Sequence, residues 1–473
     1  MRLADLDGKR VLVWGLGREG RAALGLLADT TWCRPASVET FDDGARELGG
    51  QGSAQRVPVP DSLLDGVDVI IKSPGVSRYR PELRAFLAQG GAVTGLTALV
   101  IAERGGRRVV GVTGTKGKST TASLIAHLIA AAGESVELAG NIGRPAAETL
   151  STPQSWVVLE CSSYQCADIE ALPGCSPEIG VFTSIYEEHL DWHGNYERYV
   201  SDKVRLFATC DTTLVNAMQP ELVRVTDGSH GAVAGRRLIR DDHTGGDGVL
   251  VDLDRVNLQG LHNRRNANLA VHAASHVMGL VHRRFEEALA SFQPLEHRLH
   301  TLGRYGNLTV VDDVLATAPE AVLAALEVFA DRPVTVLLGG YDREIDYRDF
   351  AATLVALSGD VPGDVPGDVP GDVQGVHPGG RASTRPRVRV IAMGPAGRRI
   401  ADEMERVGGV RPETVASLAE ALDLVDPAGF GDGEPGVLLL SPGATSYGEF
   451  ADYRERSARF RSLLLQRGMT LAE

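Results

Sequence analysis

Short apolar runs, each closed by glycine or polar residues and followed by apolar positions at helical spacing, recur along this chain. The first is RVLVWGLGREGRAALGLLA at 10–28: an apolar run, a glycine turn, then a helical pattern. Runs of this kind read as strands covered on both faces, and their alternation with helices predicts parallel sheets. VDVIIKSPG (67–75) and AVTGLTALVIAE (92–103) carry the alternation to about residue 106. A second series starts at RRVVGVTGTKGKST (107–120) and continues through SWVVLECSSYQ (155–165) and IGVFTSIYEEHLDWHG (179–194). A third opens near HRLHTLGRYGNLTVVDD (297–313), with strands at PVTVLLGG, VRVIAMG and GVLLLSPG. The pattern therefore predicts an α/β protein of three domains, 1–106, 107–297 and 298–473.

Between the second and third strands of the last series lies GDVPGDVPGDVPGDVQG, a four-residue repeat from Gly359. With Gly and Pro so frequent and only Val apolar, it cannot build a core, so 358–386 is expected to be a disordered insertion without a catalytic role. Hydrophobic content of 43% is enough to bury large cores elsewhere in the 473 residues. No 18-residue apolar run is present and the N-terminus lacks the apolar stretch of a signal peptide, so no membrane insertion and a cytoplasmic location are expected. The net charge of −14 speaks against nucleic acid as a partner and leaves any anionic ligand to local donors. Five cysteines without paired spacing suggest neither a disulfide framework nor a zinc site.

Four stretches carry chemistry. Gly15, Gly17 and Gly20 form G-x-G-x-x-G between a strand and a helix, the context for a diphosphate on a helix N-terminus. Alone the motif fits a tight structural turn, a nicotinamide dinucleotide (with Glu39, Asp42 or Asp43 as the acidic partner), or a UDP-sugar. The loop from Gly111 to Thr120 departs from the common P-loop spacing, since Val112 stands where the first glycine belongs. It still presents Gly114, Thr115, Lys116, Gly117, Lys118, Ser119 and Thr120 between a strand and a helix. That arrangement predicts ATP binding, with backbone amides around the phosphates, Lys118 against the β- and γ-phosphates and the Ser119 hydroxyl on Mg²⁺. Glu160, closing the strand WVVLE, is the expected second oxygen ligand, because an unpaired carboxylate at a buried strand tip is otherwise costly. After the next strand, YEEHLDWHG supplies Glu187, Glu188, His189, Asp191 and His193. His189 is a candidate for a second Mg²⁺, although the cluster also fits a solvated loop.

Together with GNIG (140–143), ECSSYQ (160–165), HNRRNANLA (262–270) and EHRL (296–299), these stretches resemble the Mur ligases over nearly the whole chain. That family's loop reads G-x-x-G-T-x-G-K-[ST], as Gly111 to Ser119 does. The resemblance implies a UDP-sugar-binding Rossmann-like domain, a central P-loop-type ATPase domain and a Rossmann-like glutamate-binding domain. It further implies an ATP- and Mg²⁺-dependent ligase of peptidoglycan precursor synthesis, acting through an acyl phosphate. LLSPGATS, ending at Ser446, resembles the branch that adds glutamate to UDP-N-acetylmuramoyl-L-alanine.

Residue by residue, the resemblance places Lys118 on the moving phosphoryl group and Ser119, Glu160, His189 and a carbamylated Lys203 on metal. Arg298 would contact the γ-phosphate, Asn263, Asn266 and Asp313 the nucleotide, and Asn141 the acyl-phosphate region. Gly15, Gly17, Gly20, Ser73, Ser162, Ser163, Thr317, Arg343, Ser446 and Tyr453 would serve the two acceptor substrates. Two departures stand out. D-Glutamate-adding members carry Asp-Ser-Lys-Ala-Thr-Asn where this chain reads Asp313, Val314, Leu315, Ala316, Thr317, Ala318, and Arg343 stands where a lysine is usual. WGLGREGRAA (14–23) and KSPGVS (72–77) are more similar to a divergent subgroup that joins L-glutamate, whose product a separate epimerase inverts. The expectation is an L-glutamate ligase acting as a monomer; the alternatives are the D-glutamate enzyme and, remotely, an NAD-dependent oxidoreductase.

Overall fold

The computed structural model describes residues 1–42, 59–142, 144–240, 252–256, 258, 260–279, 284–293, 296–342, 346–359, 388–430, 435–446 and 449–472. Asp43, Arg343 and all of the expected insertion after Gly359 lie outside them. The chain divides into two compact units, Met1–Phe292 and Gln293–Glu473.

The first unit holds two sheets. In one, β1 (Arg10–Trp14), β2 (Ser37–Phe41), β3 (Val69–Lys72) and β4 (Ala92–Thr94) run parallel in the order β2-β1-β3-β4. In the other, the strands are β5 (Val109–Thr113), β6 (Val136–Gly140), β7 (Trp156–Glu160), β8 (Ile179–Phe182), β9 (Thr212–Asn216) and β10 (Arg236–Ile239). They too are parallel, in the order β10-β9-β8-β5-β7-β6. Every residue of β5, β7 and β8 is buried, which explains their unbroken apolar runs. After β7 the chain crosses to the other side of β5, so β5 and β8 meet at a switch point whose carboxyl ends form a crevice. One continuous apolar cluster includes Val11 and Ile71 of the first sheet with Val157, Phe182 and Phe207 of the second domain, so the two domains form one unit.

The second unit carries a mixed sheet of β11 (His300–Tyr305), β12 (Leu308–Asp312), β13 (Val334–Gly339), β14 (Val388–Met393), β15 (Glu413–Val415), β16 (Gly436–Leu440) and β17 (Thr470–Leu471). The order is β15-β14-β13-β16-β12-β11-β17, with β11 antiparallel to both of its neighbours. The molecule is thus α/β with three sheet domains. Among the described residues no helix is long and apolar enough to cross a membrane.

Candidate active site

β5 ends at Thr113, the chain turns through Gly114 to Gly117, and a helix runs from Lys118 to Ala131. Gly117 has φ 84° at the helix N-cap, and a Cβ there would meet Asn266 Oδ1 at 2.5 Å. A side chain at Gly114 would collide with the Thr183 hydroxyl. No acidic residue occupies the first helical turn, so the helix itself sets no carboxylate against its amide dipoles. The Lys118 ammonium folds back over the loop and donates to Gly114 O at 3.0 Å and Thr115 O at 2.8 Å. Lys116 pairs with Glu188 at 2.9 Å.

Glu160 closes β7 directly beside the end of β5, in register with Val112. One oxygen accepts from Asn141 Nδ2 at 2.8 Å; the other is buried and has no hydrogen-bond partner among the described residues. Past Glu160, Ser162 caps a short helix through Gln165 in a reciprocal capping box, and Ser163 turns inward to His193 Nε2 at 3.0 Å.

The segment after β8 faces the loop from the other side. Thr115 N donates to Ser184 O at 2.8 Å, and the Thr115 and Tyr199 hydroxyls are 2.7 Å apart. His189 adopts φ 58°, a left-handed backbone, and its half-buried ring lies beside Tyr164, with centroids 4.9 Å apart. Burial favours the neutral acid of Glu188, yet Lys116, His189 and Lys118 outweigh it and hold the carboxyl at about 2. Lys203, 2% exposed, donates to Gly114 O at 2.7 Å, so two ammonium groups share one carbonyl. Burial, reinforced by the charge on Lys118, lowers Lys203 to about 7. Asn263 and Asn266 are both buried on the helix Leu261–Met278, 3.3 Å apart.

In the first domain, Gly15 follows β1 with φ 92°, and its carbonyl accepts from Ser73 Oγ at 2.7 Å. A Cβ on Gly20 would overlap Gly15 O, so the third glycine allows the helix to pack on the turn, while Gly17 is open on its side. The Leu16 amide donates to Asp42 Oδ2 at 2.5 Å; Glu39 is exposed on the edge strand β2. Sequence reasoning missed several groups here. Arg18 donates to Gly140 O at 2.9 Å and Asn141 O at 3.3 Å, linking the diphosphate-type turn to the Asn141 loop. Lys72 and Asp168, both essentially unexposed, pair at 2.7 Å, and Gln165 bridges Glu19 (3.3 Å) and Thr97 (3.0 Å). Arg18, Lys72 and Gln165 stood inside stretches already singled out, WGLGREGRAA, KSPGVS and ECSSYQ, but nothing local marked their distant partners.

In the second unit, Asp313 accepts from Ser441 Oγ at 2.8 Å and Leu299 N at 3.3 Å. Burial pushes it up to about 7 against the lowering pull of Ser441 and Arg298. Arg298 Nε is buried without a hydrogen-bond partner among the described residues. Thr317 is half-buried, Ser446 is buried, and Tyr453 packs edge-on to His297 at 5.6 Å. Arg456, also missed, is 2% exposed and donates to Thr445 O at 2.9 Å; burial lowers it to about 10.

Residues 112–274 match the family described as the Mur ligase middle domain. A UDP-N-acetylmuramoyl-L-alanine–L-glutamate ligase of Xanthomonas euvesicatoria pv. vesicatoria (strain 85-10) is 36% identical over 490 positions, covering 98% of this chain and 96% of the relative. A protein of the same description from Salinispora tropica is also 36% identical, over 97% of this chain and 98% of its own. The chain belongs to the Mur ligase family. Solved structures share the fold: UDP-N-acetylmuramate-alanine ligase from Thermotoga maritima superposes with a TM-score of 0.55 at 17% identity, over 97% of this chain and 99% of that one. The MurF ligase of the same organism, in complex with ADP, gives 0.53 at 15% identity over 98% and 97%.

As a Mur ligase, the protein is an ATP-dependent, ADP-forming acid–amino-acid ligase of peptidoglycan synthesis. The loop fits a nucleotide triphosphate: its first helical turn is free of acids and Lys118 lies over its carbonyls. For a divalent cation the fitting observation is the orphaned oxygen of Glu160. No cluster of three or more His, Cys, Asp or Glu side chains forms a metal cage among the described residues, so an ion would draw other oxygens from nucleotide and hydroxyl.

Proposed function

We propose that this Mur ligase joins L-glutamate to UDP-N-acetylmuramoyl-L-alanine by way of an acyl phosphate. Lys118 and Lys203 converge on Gly114 O, and a buried carboxylate oxygen waits unpartnered at the neighbouring strand end; this juxtaposition carries the reaction class. In the reaction, a carboxylate oxygen of the alanyl group attacks the γ-phosphorus of ATP, ADP leaves, and the carboxyl becomes an electrophile. The amino group of glutamate then adds to that carbonyl; phosphate leaves, a proton is lost and the amide remains. Lys118 neutralises charge on the moving phosphoryl group. Ser119 and Glu160 would hold Mg²⁺, which when bound spreads the developing negative charge.

Lys203 held near 7 has a large neutral-amine fraction at physiological pH, the form that attacks CO₂ to give a carbamate. The product is an anionic oxygen ligand that, with His189, suits a second cation. Asn141, which donates to Glu160, is assigned to the acyl-phosphate region. Arg298, Asp313, Asn263 and Asn266 are assigned to the nucleotide, and Thr317, Arg343, Ser446 and Tyr453 to the amino acid. We assign the UDP-sugar to domain 1–106, ATP to 107–297 and glutamate to 298–473.

The choice of L-glutamate rests on the named relatives and on the end of β12. There Val314, buried, and Leu315, half-buried, are apolar groups in place of the serine and lysine of D-glutamate enzymes. Such a product requires a separate epimerase to supply the D configuration. Purified protein given UDP-N-acetylmuramoyl-L-alanine, ATP, Mg²⁺ and either enantiomer of glutamate should release phosphate with the L form. Preference for D-glutamate would overturn the stereochemistry, and silence with both in folded protein would remove the reaction.

A further inference from the structure

A buried hydrogen-bond chain remains once the phosphoryl-transfer groups are assigned. The Tyr79 hydroxyl donates to Asp202 Oδ1 at 2.6 Å, His193 Nδ1 lies 2.7 Å from Asp202 Oδ2, and His193 Nε2 lies 3.0 Å from Ser163 Oγ. His193, Asp202 and Ser163 are 0%, 1% and 2% exposed, so these three are sealed from water, while Tyr79 at the other end is half-buried. Burial and the Asp202 carboxylate both push the Tyr79 hydroxyl well above its ordinary range, which keeps it a donor.

The two ends belong to different domains. Tyr79 follows β3, in the segment that begins with Lys72 and Ser73. The same segment grips the turn after His189 through Ser77 Oγ donating to Trp192 O at 2.8 Å and Trp192 Nε1 donating to Pro74 O at 3.1 Å. At the other end, Asp202 immediately precedes Lys203 on the helix Tyr196–Val204. Consecutive helical positions point about 100° apart, so a carboxylate tied on one side fixes the roll of the helix. That roll sets where the Lys203 side chain reaches Gly114 O. His193 carries the tie on to Ser163, three residues past Glu160, so both candidate metal-side groups hang on one network.

We propose that Tyr79, Asp202 and His193 are positioning residues through which the sugar-nucleotide domain sets the placement of Lys203, coupling substrate occupancy to a competent nucleotide site. This rests on the roles given above to Lys203 and to domain 1–106. The test uses full-length protein and a non-hydrolysable ATP analogue with Mg²⁺, titrated with and without UDP-N-acetylmuramoyl-L-alanine. Wild type should bind the analogue at least fivefold more tightly with the sugar nucleotide present. Tyr79→Phe, which deletes one hydroxyl, should bring that ratio below twofold and lower kcat five- to fiftyfold, with KM for glutamate within twofold. Asp202→Asn keeps the side-chain shape and should do the same, so one folded variant suffices. A wild-type ratio below twofold, or a variant that keeps the wild-type ratio, refutes the relay whatever its kcat. The ratio is read without turnover, so a failure of the ligase reaction is seen separately in the wild-type phosphate assay.

Discussion

Glu160 places one carboxylate oxygen in the interior with no partner while the other is held by Asn141. An unpartnered buried charge costs several kcal/mol unless something neutralises it, so the residue is explained by a ligand. Glu160→Gln keeps an oxygen for Asn141 and removes the charge; turnover should fall at least 100-fold, with the melting temperature unchanged or raised. A variant with wild-type phosphate release would show that the carboxylate serves the fold alone. Asp313 gives a pH signature. Its folded pKa of about 7 lies above the ordinary carboxyl value, so the native state holds a proton that the unfolded chain releases. Stability from this group is therefore full at low pH and is lost as pH rises from about 4 to about 7. Asp313→Asn should flatten that decline in urea titrations and gain roughly 1–3 kcal/mol at pH 7.5; an unchanged slope would refute the assignment. Lys118, Glu160 and His189 were legible because each sits at a fixed offset from a strand end. Lys72, Asp168, Arg18 and Arg456 were not, because a buried charge is recognised only once its distant partner or carbonyl is known.

At the scale of the element, the phosphate loop depends on two backbone requirements at Gly117. The residue has φ 84°, and its α-carbon faces Asn266 across a gap too small for a methyl group. Gly117→Ala should cost about 1–2 kcal/mol of stability and weaken nucleotide binding at least tenfold. Adding Asn266→Ala removes the collision but not the φ strain, so the double variant should recover part of the stability and none of the strain-dependent loss. Full recovery would show that the left-handed backbone is unimportant. The strands around this loop were readable because β5, β7 and β8 are buried throughout. β6, β10, β15 and β17 escaped notice: they are two to five residues long, all four close an end of a sheet, and all are partly exposed. Their strand character comes from the neighbour they pair with, which no local pattern records. The helix Leu261–Met278 was visible only through the family resemblance, since Asn, Arg and His interrupt its apolar face.

For the whole molecule, three domains followed from length and alternation, whereas the merging of the first two into one unit depends on side chains far apart in sequence. Each compact unit has its own buried clusters, so each is expected to unfold as its own cooperative block. All four tryptophans, Trp14, Trp32, Trp156 and Trp192, belong to the first unit. Tryptophan fluorescence therefore reports that unit alone, while far-ultraviolet circular dichroism reports both. The loop groups Lys118 and Ser119 lie in the first unit, and a ligand at a hundred times its Kd stabilises the block that binds it by about 2.7 kcal/mol. A non-hydrolysable ATP analogue with Mg²⁺ should thus move the fluorescence midpoint in urea to higher concentration and leave a component of the dichroism transition in place. Movement of that component by the same amount would mean that Arg298 and Asp313 in the second unit contribute comparable binding free energy. One coincident transition, with or without nucleotide, would instead show that the two units fold as a single block and would refute their independence.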